Sequence, residues 1–166
     1  MNGDRVMEIW NAYDEHLNRI DGVTLIRGEP VPEGLYHLVS EILVRHVDRS
    51  FLLMQRDQRK HLGGMWEASA GGSALQGERA LDCALRELKE ETGLTGKLTH
   101  LGWIVDRKRH TIYAEYLCET DIDKDGILLQ EGETTDYRWI SAEELKRMPR
   151  EELATYRVQT LMEELR

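Results

Sequence analysis

Two kinds of hydrophobic pattern alternate along this chain, and their order predicts a mixed α/β fold. Short stretches rich in branched apolar residues have the composition of strands, and longer stretches with apolar residues three and four positions apart have the period of helices. The pair of stretches 36–47 (YHLVSEILVRHV) and 51–56 (FLLMQR) is the clearest case of two strands joined by a tight connection. Further strands are predicted at residues 66–72, 98–106, 111–119 and 137–140.

The helical pattern is strongest in the middle of the chain. One apolar stripe is predicted there, formed by Ala80, Leu81, Ala84, Leu85 and Leu88. Gly93 follows where a helix is expected to end, because glycine adopts the left-handed conformation of a C-terminal cap at little cost. This stretch is therefore predicted to be an amphipathic helix.

Helices are also predicted at the end of the chain. Ser141 and Glu144 form a capping box before a helix over residues 142–148, which Pro149 ends. An amphipathic pattern over residues 151–166 predicts a last helix, with its inward positions at Leu153, Tyr156, Leu161, Met162 and Leu165. Strands on both sides of a central helix, with more helices at the end, predict a mixed β-sheet between helical layers.

The N-terminal residues 1–35 are predicted to be an extension of one domain that spans residues 1–166. Residues 5–14 and 23–27 are each predicted to be a strand, and an Asp21-Gly22 turn signal lies between them. Together they predict an N-terminal β-hairpin. Two prolines in residues 29–34 mark the linker to the rest of the chain.

Charge and cysteine content narrow the class of protein. The formal net charge is -9, from 22 basic and 31 acidic residues, which disfavours non-specific binding to a nucleic acid duplex or to an anionic membrane. Cys83 and Cys118 give no disulfide framework and are expected to be free thiols in a reducing compartment. The chain shows neither a signal-peptide pattern nor an apolar stretch of about 20 residues, so a cytoplasmic location is expected.

The central helix carries a cluster of carboxylates. Glu87 and Glu91 are four residues apart and share a face, and Glu90 borders it. Like charges at these spacings repel each other, and a divalent cation bound by carboxylate oxygens would offset the repulsion. For the three carboxylates alone, a solvated acidic helix face is the alternative.

The residues around the cluster favour the metal site. From Gly72 to Leu94 the sequence resembles the Nudix box at all nine of its defined positions: Gly72, Glu78, Arg86, Glu87, Leu88, Glu90, Glu91, Gly93 and Leu94. The resemblance implies an α/β/α sandwich. It also implies hydrolysis of a pyrophosphate bond in a nucleoside diphosphate linked to another moiety, with Mg²⁺ or Mn²⁺ as cofactor and a small-molecule diphosphate as substrate.

Roles for individual residues follow from the same resemblance. Glu87, Glu90 and Glu91 are predicted metal ligands, with the backbone of Gly71 beside them, and Glu90 and Glu91 are predicted to be catalytic. Arg86 is predicted to orient Glu90 through a salt bridge. Substrate binding is predicted for Arg56, at the end of the second strand of the pair, and for Gly71 and Gly72, where the missing side chain lets a phosphate or metal approach the backbone.

The catalytic base stays open between two carboxylates. Glu133, in the acidic loop before the last strand, is the first choice, because Nudix hydrolases often supply a base from such a loop. Glu115, in the middle of a predicted strand, is the competitor, since a strand carboxylate can point into a cleft.

Two other functions are considered within the same fold. The N-terminal extension, His37 and the approach through Trp66 are similar to isopentenyl-diphosphate isomerase, but residues 68–72 (ASAGG) lack the cysteine which that enzyme uses. A non-catalytic nucleotide-binding module is disfavoured by the complete box. Homodimerisation through the N-terminal hairpin is expected by analogy. The sequence does not identify which diphosphate is cleaved.

Overall fold

The computed structural model describes residues 6–155 and 157–165. In this part of the chain the strands are β1 (Ile9–Tyr13), β2 (Arg19–Ile26), β3 (His37–His46), β4 (Phe51–Arg56), β5 (Trp66–Glu67), β6 (Ala70–Ser73), β7 (Leu98–Asp106), β8 (Thr111–Thr120) and β9 (Thr134–Ile140). The helices are α1 (Ala80–Thr92), α2 (Ala142–Arg147) and α3 (Arg157–Glu164).

A mixed sheet forms the centre of the fold, as predicted. Its order is β5-β4-β3-β8-β7, with β6 also paired to β3 and β9 to β4. The long strands β3 and β8 are parallel, and their register places Glu41 beside Glu115. The other pairings within the sheet are antiparallel.

Helices cover both faces of the sheet, which confirms the predicted α/β/α sandwich. On one face, Ile42 and Ile112 pack against buried residues of α1 such as Ala84 and Leu88. On the other face, Leu43 and other sheet residues pack against α2 and α3. Burial of these apolar side chains from both sides is the main force that holds the layers together.

The N-terminal hairpin is present, but its turn was predicted at the wrong place. Strands β1 and β2 pair antiparallel, and β2 runs through the predicted Asp21-Gly22 turn. The chain reverses over residues 14–18, where the Asp14 carboxylate accepts hydrogen bonds from the backbone N–H groups of His16 and Asn18. Such a side-chain bond to the following backbone stabilises a turn without glycine.

Residues 66–72 do not form the single strand that was predicted. β5 pairs with β4, whereas β6 pairs with β3, so the chain changes partner between the two short strands. Ser69 lies at the change, where its hydroxyl donates to Leu52 O at 2.7 Å and accepts from Val44 N at 2.7 Å. This buried hydroxyl satisfies backbone groups that the interrupted strand leaves free.

The predicted apolar stripe of α1 is wrong at two positions. Ala80, Ala84 and Leu88 are buried, but Leu81 and Leu85 are 41% and 40% exposed. The helix therefore packs on the sheet through a narrower face than the pattern predicted, and Leu81 and Leu85 lie at its solvent-exposed edge.

The last helix begins later than predicted. Leu153 is buried but follows a 3-10 turn at Arg150–Glu152, and α3 starts at Arg157. Leu161 and Met162 are buried as predicted, and Leu165 packs against the same core. The predicted inward position Tyr156 lies outside the described residues.

Candidate active site

Helix α1 carries three carboxylates, of which two lie at the edge of the core. Its capping box joins Arg79 and Asp82 at the start, and Gly93 ends it with φ 77°. Glu91 is 6% exposed as a residue, and the Glu87 side chain is 13% exposed. Glu90 lies further round the helix, with 45% of its side chain exposed. The helix therefore presents one exposed and two nearly buried carboxylates.

Strand β6 brings bare backbone against this face of α1. Gly71 and Gly72 pair with Glu41 and Ser40 of β3. A Cβ on Gly72 would lie 2.3 Å from Glu87 Oε1, and a Cβ on Gly71 would lie 2.9 Å from Ser40 O. A side chain at position 71 would therefore clash with the backbone of β3, and one at position 72 would displace the Glu87 carboxylate.

Arg86 links the carboxylates of the sequence motif. Its guanidinium donates to Glu78 Oε1 at 2.6 Å, to Glu87 Oε1 at 2.7 Å and to the Ser73 carbonyl at 3.2 Å. The predicted ion pair with Glu90 is present at 3.3 Å. Arg86 thus fixes Glu87 and Glu90 relative to the end of β6.

Ionisation of the two buried carboxylates, Glu87 and Glu91, is unfavourable in the folded protein. Burial raises the pKa of Glu91 well above its usual range, and the charges of Glu67 and Glu87 raise it further. Burial also raises the pKa of Glu87, against the lowering effect of Arg86. A positive charge placed between these groups would be strongly favoured, since burial and neighbouring like charges both disfavour the ionised form.

Lys60 and Glu133 complete the groove beside the carboxylates. Their side chains form an ion pair, and Glu133 O accepts from Asp57 N at 2.9 Å. The groove has a volume of about 250 Å³. It is lined by Glu8, Arg27, Lys60, Gly71, Gly72, Ser73, Leu75, Arg86, Glu87, Glu90, Glu91, Gln130 and Glu133. The structure therefore brings Glu133 together with the carboxylates of α1.

Arg56 lies next to this groove rather than in it. It pairs with Glu67 at 2.6 Å, and both line an adjoining cavity of about 170 Å³. The two spaces share Lys60, Gly71, Gly72 and Glu91 along their boundary.

Glu115 lies outside the groove. It is 4% exposed and faces Glu41, the neighbour to which the parallel register brings it. Burial and then the charge of Glu41 raise the pKa of Glu115 to about 7. Glu41 is itself paired with Arg157 of α3, and its Oε1 has no hydrogen-bond partner among the described residues.

Several charged residues near the groove were missed by reasoning from sequence. Glu67 follows Trp66 in a short strand, and Glu41 interrupts an apolar strand. A charge within such a run is a usable signal, because isolated charges are rarely buried without a partner. Arg157 gives no such signal, since charged residues are common in helices.

The donor set fits a hard divalent cation. Glu87, Glu90 and Glu91 offer only oxygen atoms, which Mg²⁺ and Mn²⁺ prefer. Within the described ranges, no three side chains of His, Cys, Asp or Glu converge as a ready ligand cluster. In this arrangement Arg86 donates hydrogen bonds to Glu87 and Glu90 and so places a positive charge beside their oxygens.

A helix that presents three carboxylates to a glycine-bearing strand, inside an α/β/α sandwich, defines the class of Nudix proteins. Residues 36–160 match the family model described as the NUDIX domain. An uncharacterized Nudix hydrolase of Listeria innocua is 32% identical over 143 residues, which cover 84% of this chain and 83% of the relative. The chain therefore belongs to the Nudix family and is a Nudix pyrophosphohydrolase.

Solved structures show the same fold at low sequence identity. A protein from Deinococcus radiodurans superposes with a TM-score of 0.77 at 16% identity, over 94% of this chain and 98% of that one. The NUDIX domain of NrtR from Shewanella oneidensis, solved with ADP ribose, has a TM-score of 0.63 at 20% identity, over 78% and 86%.

The similarity to isomerases is partial. An isopentenyl-diphosphate Delta-isomerase of Cereibacter sphaeroides is 32% identical over 66 residues, which are 40% of this chain and 37% of that enzyme.

In the described part of the chain, no helix is both long enough and apolar enough to span a bilayer.

Proposed function

We propose that this protein is a metal-dependent hydrolase that cleaves the pyrophosphate bond of a nucleoside diphosphate linked to another moiety. The observation that carries the proposal is the placement of Glu87 and Glu91, nearly buried and close to the bare backbone of Gly72. Such a concentration of ionisable carboxylates is costly for the fold and is typical of a functional site.

The chain's own residues supply binding and orientation in this reaction. Glu87, Glu90 and Glu91 would hold Mg²⁺ or Mn²⁺, which when bound polarises a phosphoryl oxygen and lowers the pKa of a coordinated water. Arg86 keeps Glu87 and Glu90 in place. Gly71 and Gly72 of β6 line the groove beside these carboxylates, where the diphosphate would bind.

Glu133 is the proposed proton acceptor. It lines the same groove as the α1 carboxylates. Glu115 lies instead on β8, beside Glu41 and close to charged residues of α3. A general base must come within hydrogen-bond distance of the attacking water, directly or through one further water. The Glu133→Gln substitution should lower kcat by about 100-fold or more. The Glu115→Gln substitution should lower kcat far less.

The proposal is tested by a substrate panel with and without metal. Purified protein is incubated with nucleoside diphosphate derivatives in Mg²⁺, Mn²⁺ or EDTA, and nucleotide release is measured. Glu90→Gln and Glu91→Gln should each lower kcat on the order of 100-fold, comparable with the loss of one preorganised electrostatic contact. Glu143→Gln, an exposed substitution on α2, is the matched control. Equal rates in all variants, or no release by wild type, would contradict the proposal.

An isomerase is the second candidate, because of the partial similarity. The thiol nearest to β6 is Cys83 of α1, whose Sγ lies 3.4 Å from Gly72 O. It is buried, and burial raises its pKa to about 11. A thiol in that environment is a poor proton donor or acceptor at neutral pH. Conversion of the five-carbon diphosphate by the purified protein would overturn this preference.

Three further properties are part of the proposal. Residues 1–166 form one domain, the protein forms a homodimer through its N-terminal hairpin, and it works in the cytoplasm. Both cysteines are free and buried, which suits a reducing compartment. Light scattering after size exclusion tests the dimer, and a monomeric mass would refute it.

A further inference from the structure

The N-terminal hairpin contributes to the rim of the catalytic groove. Glu8 and Arg27, which flank the two strands of the hairpin, line the groove together with the α1 carboxylates. Both lie outside the region that matches the family model, residues 36–160. They are a feature of this chain's own extension.

The hairpin is fixed to the rest of the molecule by backbone hydrogen bonds at two points. Gln76 N donates to Ile9 O at 2.9 Å, close to the start of α1. Tyr13 and Tyr36 exchange both backbone hydrogen bonds at 2.9 Å. The position of the hairpin relative to the groove is thus set by backbone bonds rather than by side chains alone.

Glu8 is held in place and in turn holds Arg27. The Trp10 indole N–H donates to Glu8 Oε1 at 2.8 Å, and the Trp10 ring stacks on His37 with 4.4 Å between the ring centroids. Arg27 donates from Nη1 to Glu8 Oε2 at 2.9 Å and from its backbone N–H to Glu8 O at 3.0 Å. Glu8 therefore orients the guanidinium at the edge of the groove.

Arg27 differs from the other cations of this groove. Arg86 is shared among Glu78, Glu87 and Glu90, and Lys60 is paired with Glu133. Arg27 uses one guanidinium N–H group for Glu8, and its side chain is 65% exposed. Within the described part of the chain, its other guanidinium N–H groups make no hydrogen bond.

We propose that Arg27 binds a non-bridging phosphate oxygen of the substrate, so that the N-terminal extension forms part of the substrate site. The inference rests on the proposed function, because a diphosphate must enter a groove that already holds the carboxylates of Glu87, Glu90, Glu91 and Glu133. A polyanion is repelled there, and a guanidinium with free donors relieves the repulsion. Arginine suits this role because its planar N–H groups match two phosphate oxygens.

Steady-state kinetics of Arg27→Gln test the proposal. KM for the substrate that the panel identifies should rise about 10- to 30-fold, the effect of one charge-assisted hydrogen bond. The kcat should change less than about threefold, because a contact made equally in the ground and transition states affects binding only. Arg27→Lys keeps the charge but loses the paired donors, so its KM should rise less.

Arg19→Gln is the matched control. Arg19 lies in the same hairpin and pairs with the exposed Asp21 at 3.4 Å, away from the groove. The Arg19→Gln substitution should leave KM unchanged. An equal rise in KM for both variants would overturn the proposal, since the effect would then come from the hairpin as a whole. Unchanged KM in Arg27→Gln would overturn it as well.

A binding measurement separates this inference from the proposed function. Calorimetric titration with inorganic pyrophosphate and Mg²⁺ needs no turnover. Weaker binding by Arg27→Gln than by wild type and Arg19→Gln supports the inference even if the protein hydrolyses nothing in the panel. Hydrolysis with equal pyrophosphate affinity in all three proteins refutes the inference and leaves the proposed function standing. Absence of pyrophosphate binding by wild type also refutes the inference.

Discussion

Replacing Glu115 by glutamine should stabilise the protein at alkaline pH and leave its stability nearly unchanged at acidic pH. Glu115 is buried between β3, β8 and α3, beside the carboxylate of Glu41. Burial and this neighbouring charge raise the pKa of Glu115 from its ordinary value of 4.5 to about 7. The ionised form is therefore disfavoured in the folded state but not in the unfolded chain.

The sign of the pH dependence follows from these two pKa values. Below pH 4.5 the carboxyl is protonated in both states, so the substitution has little effect. Between pH 4.5 and 7 the unfolded chain releases the proton while the folded protein retains it, so wild type loses stability. The loss is complete above pH 7. It amounts to about 3.5 kcal/mol at about 1.4 kcal/mol per unit of pKa, and relaxation of the protein around the ionised group lowers the expected value to about 2 kcal/mol.

Urea denaturation in EDTA at pH 4 and pH 8.5 measures the effect. The free energy of unfolding of Glu115→Gln should exceed that of wild type by about 2 kcal/mol at pH 8.5 and by a few tenths at pH 4. Glu119→Gln, four residues further along β8 and exposed, is the control and should not show this pH dependence. A difference between Glu115→Gln and wild type that is the same at both pH values would refute the reasoning.

Three further predictions address the packing of α1 and the thiols. Leu88→Ala should lower the free energy of unfolding by about 2–5 kcal/mol in urea, whereas Leu81→Ala, at an exposed position, should change it by less than about 0.5 kcal/mol. Gly72→Ala should lower kcat and weaken Mn²⁺ binding measured by calorimetry, because its Cβ would displace a carboxylate 2.3 Å away; unchanged metal affinity would argue against that contact. Cys83 should react with a thiol reagent only after denaturation, since it is buried and its pKa is raised to about 11.

The elements of the fold that follow local patterns were predictable from the sequence. The strands β3, β4, β7 and β8 lie close to their predicted ranges, since each is rich in apolar, aromatic and β-branched residues. The capping box at Ser141 and the end of α1 at Gly93 are present as predicted. Local side-chain chemistry determines these features.

Features that depend on a distant partner were not predictable. The turn of the N-terminal hairpin is different, because it was predicted at Asp21-Gly22 although a local bond places it at residues 14–18, where the Asp14 carboxylate accepts from the following backbone. The interruption at Ser69 arises because β5 and β6 pair with different strands. No local pattern encodes which strand will be the neighbour.

The same distinction applies to the site. The motif places Glu87, Glu90 and Glu91 on one helix, and their proximity follows from helical spacing. Glu133 reaches the groove through the packing of its loop, and Arg27 reaches it through the hairpin. The pairing of Glu41 with Glu115 requires the register of two parallel strands 74 residues apart. Such contacts between distant segments emerge only from the folded structure.

Hydrolysis in ¹⁸O-labelled water, with mass analysis of the products, tests the central claim most directly. If the protein is a metal-dependent pyrophosphohydrolase, one ¹⁸O atom should enter one phosphorylated product in Mg²⁺ or Mn²⁺, and none should enter in EDTA. Glu91→Gln should lower the labelled product strongly. Equal labelling with and without metal would contradict the account, and so would conversion of a diphosphate to an unlabelled isomer.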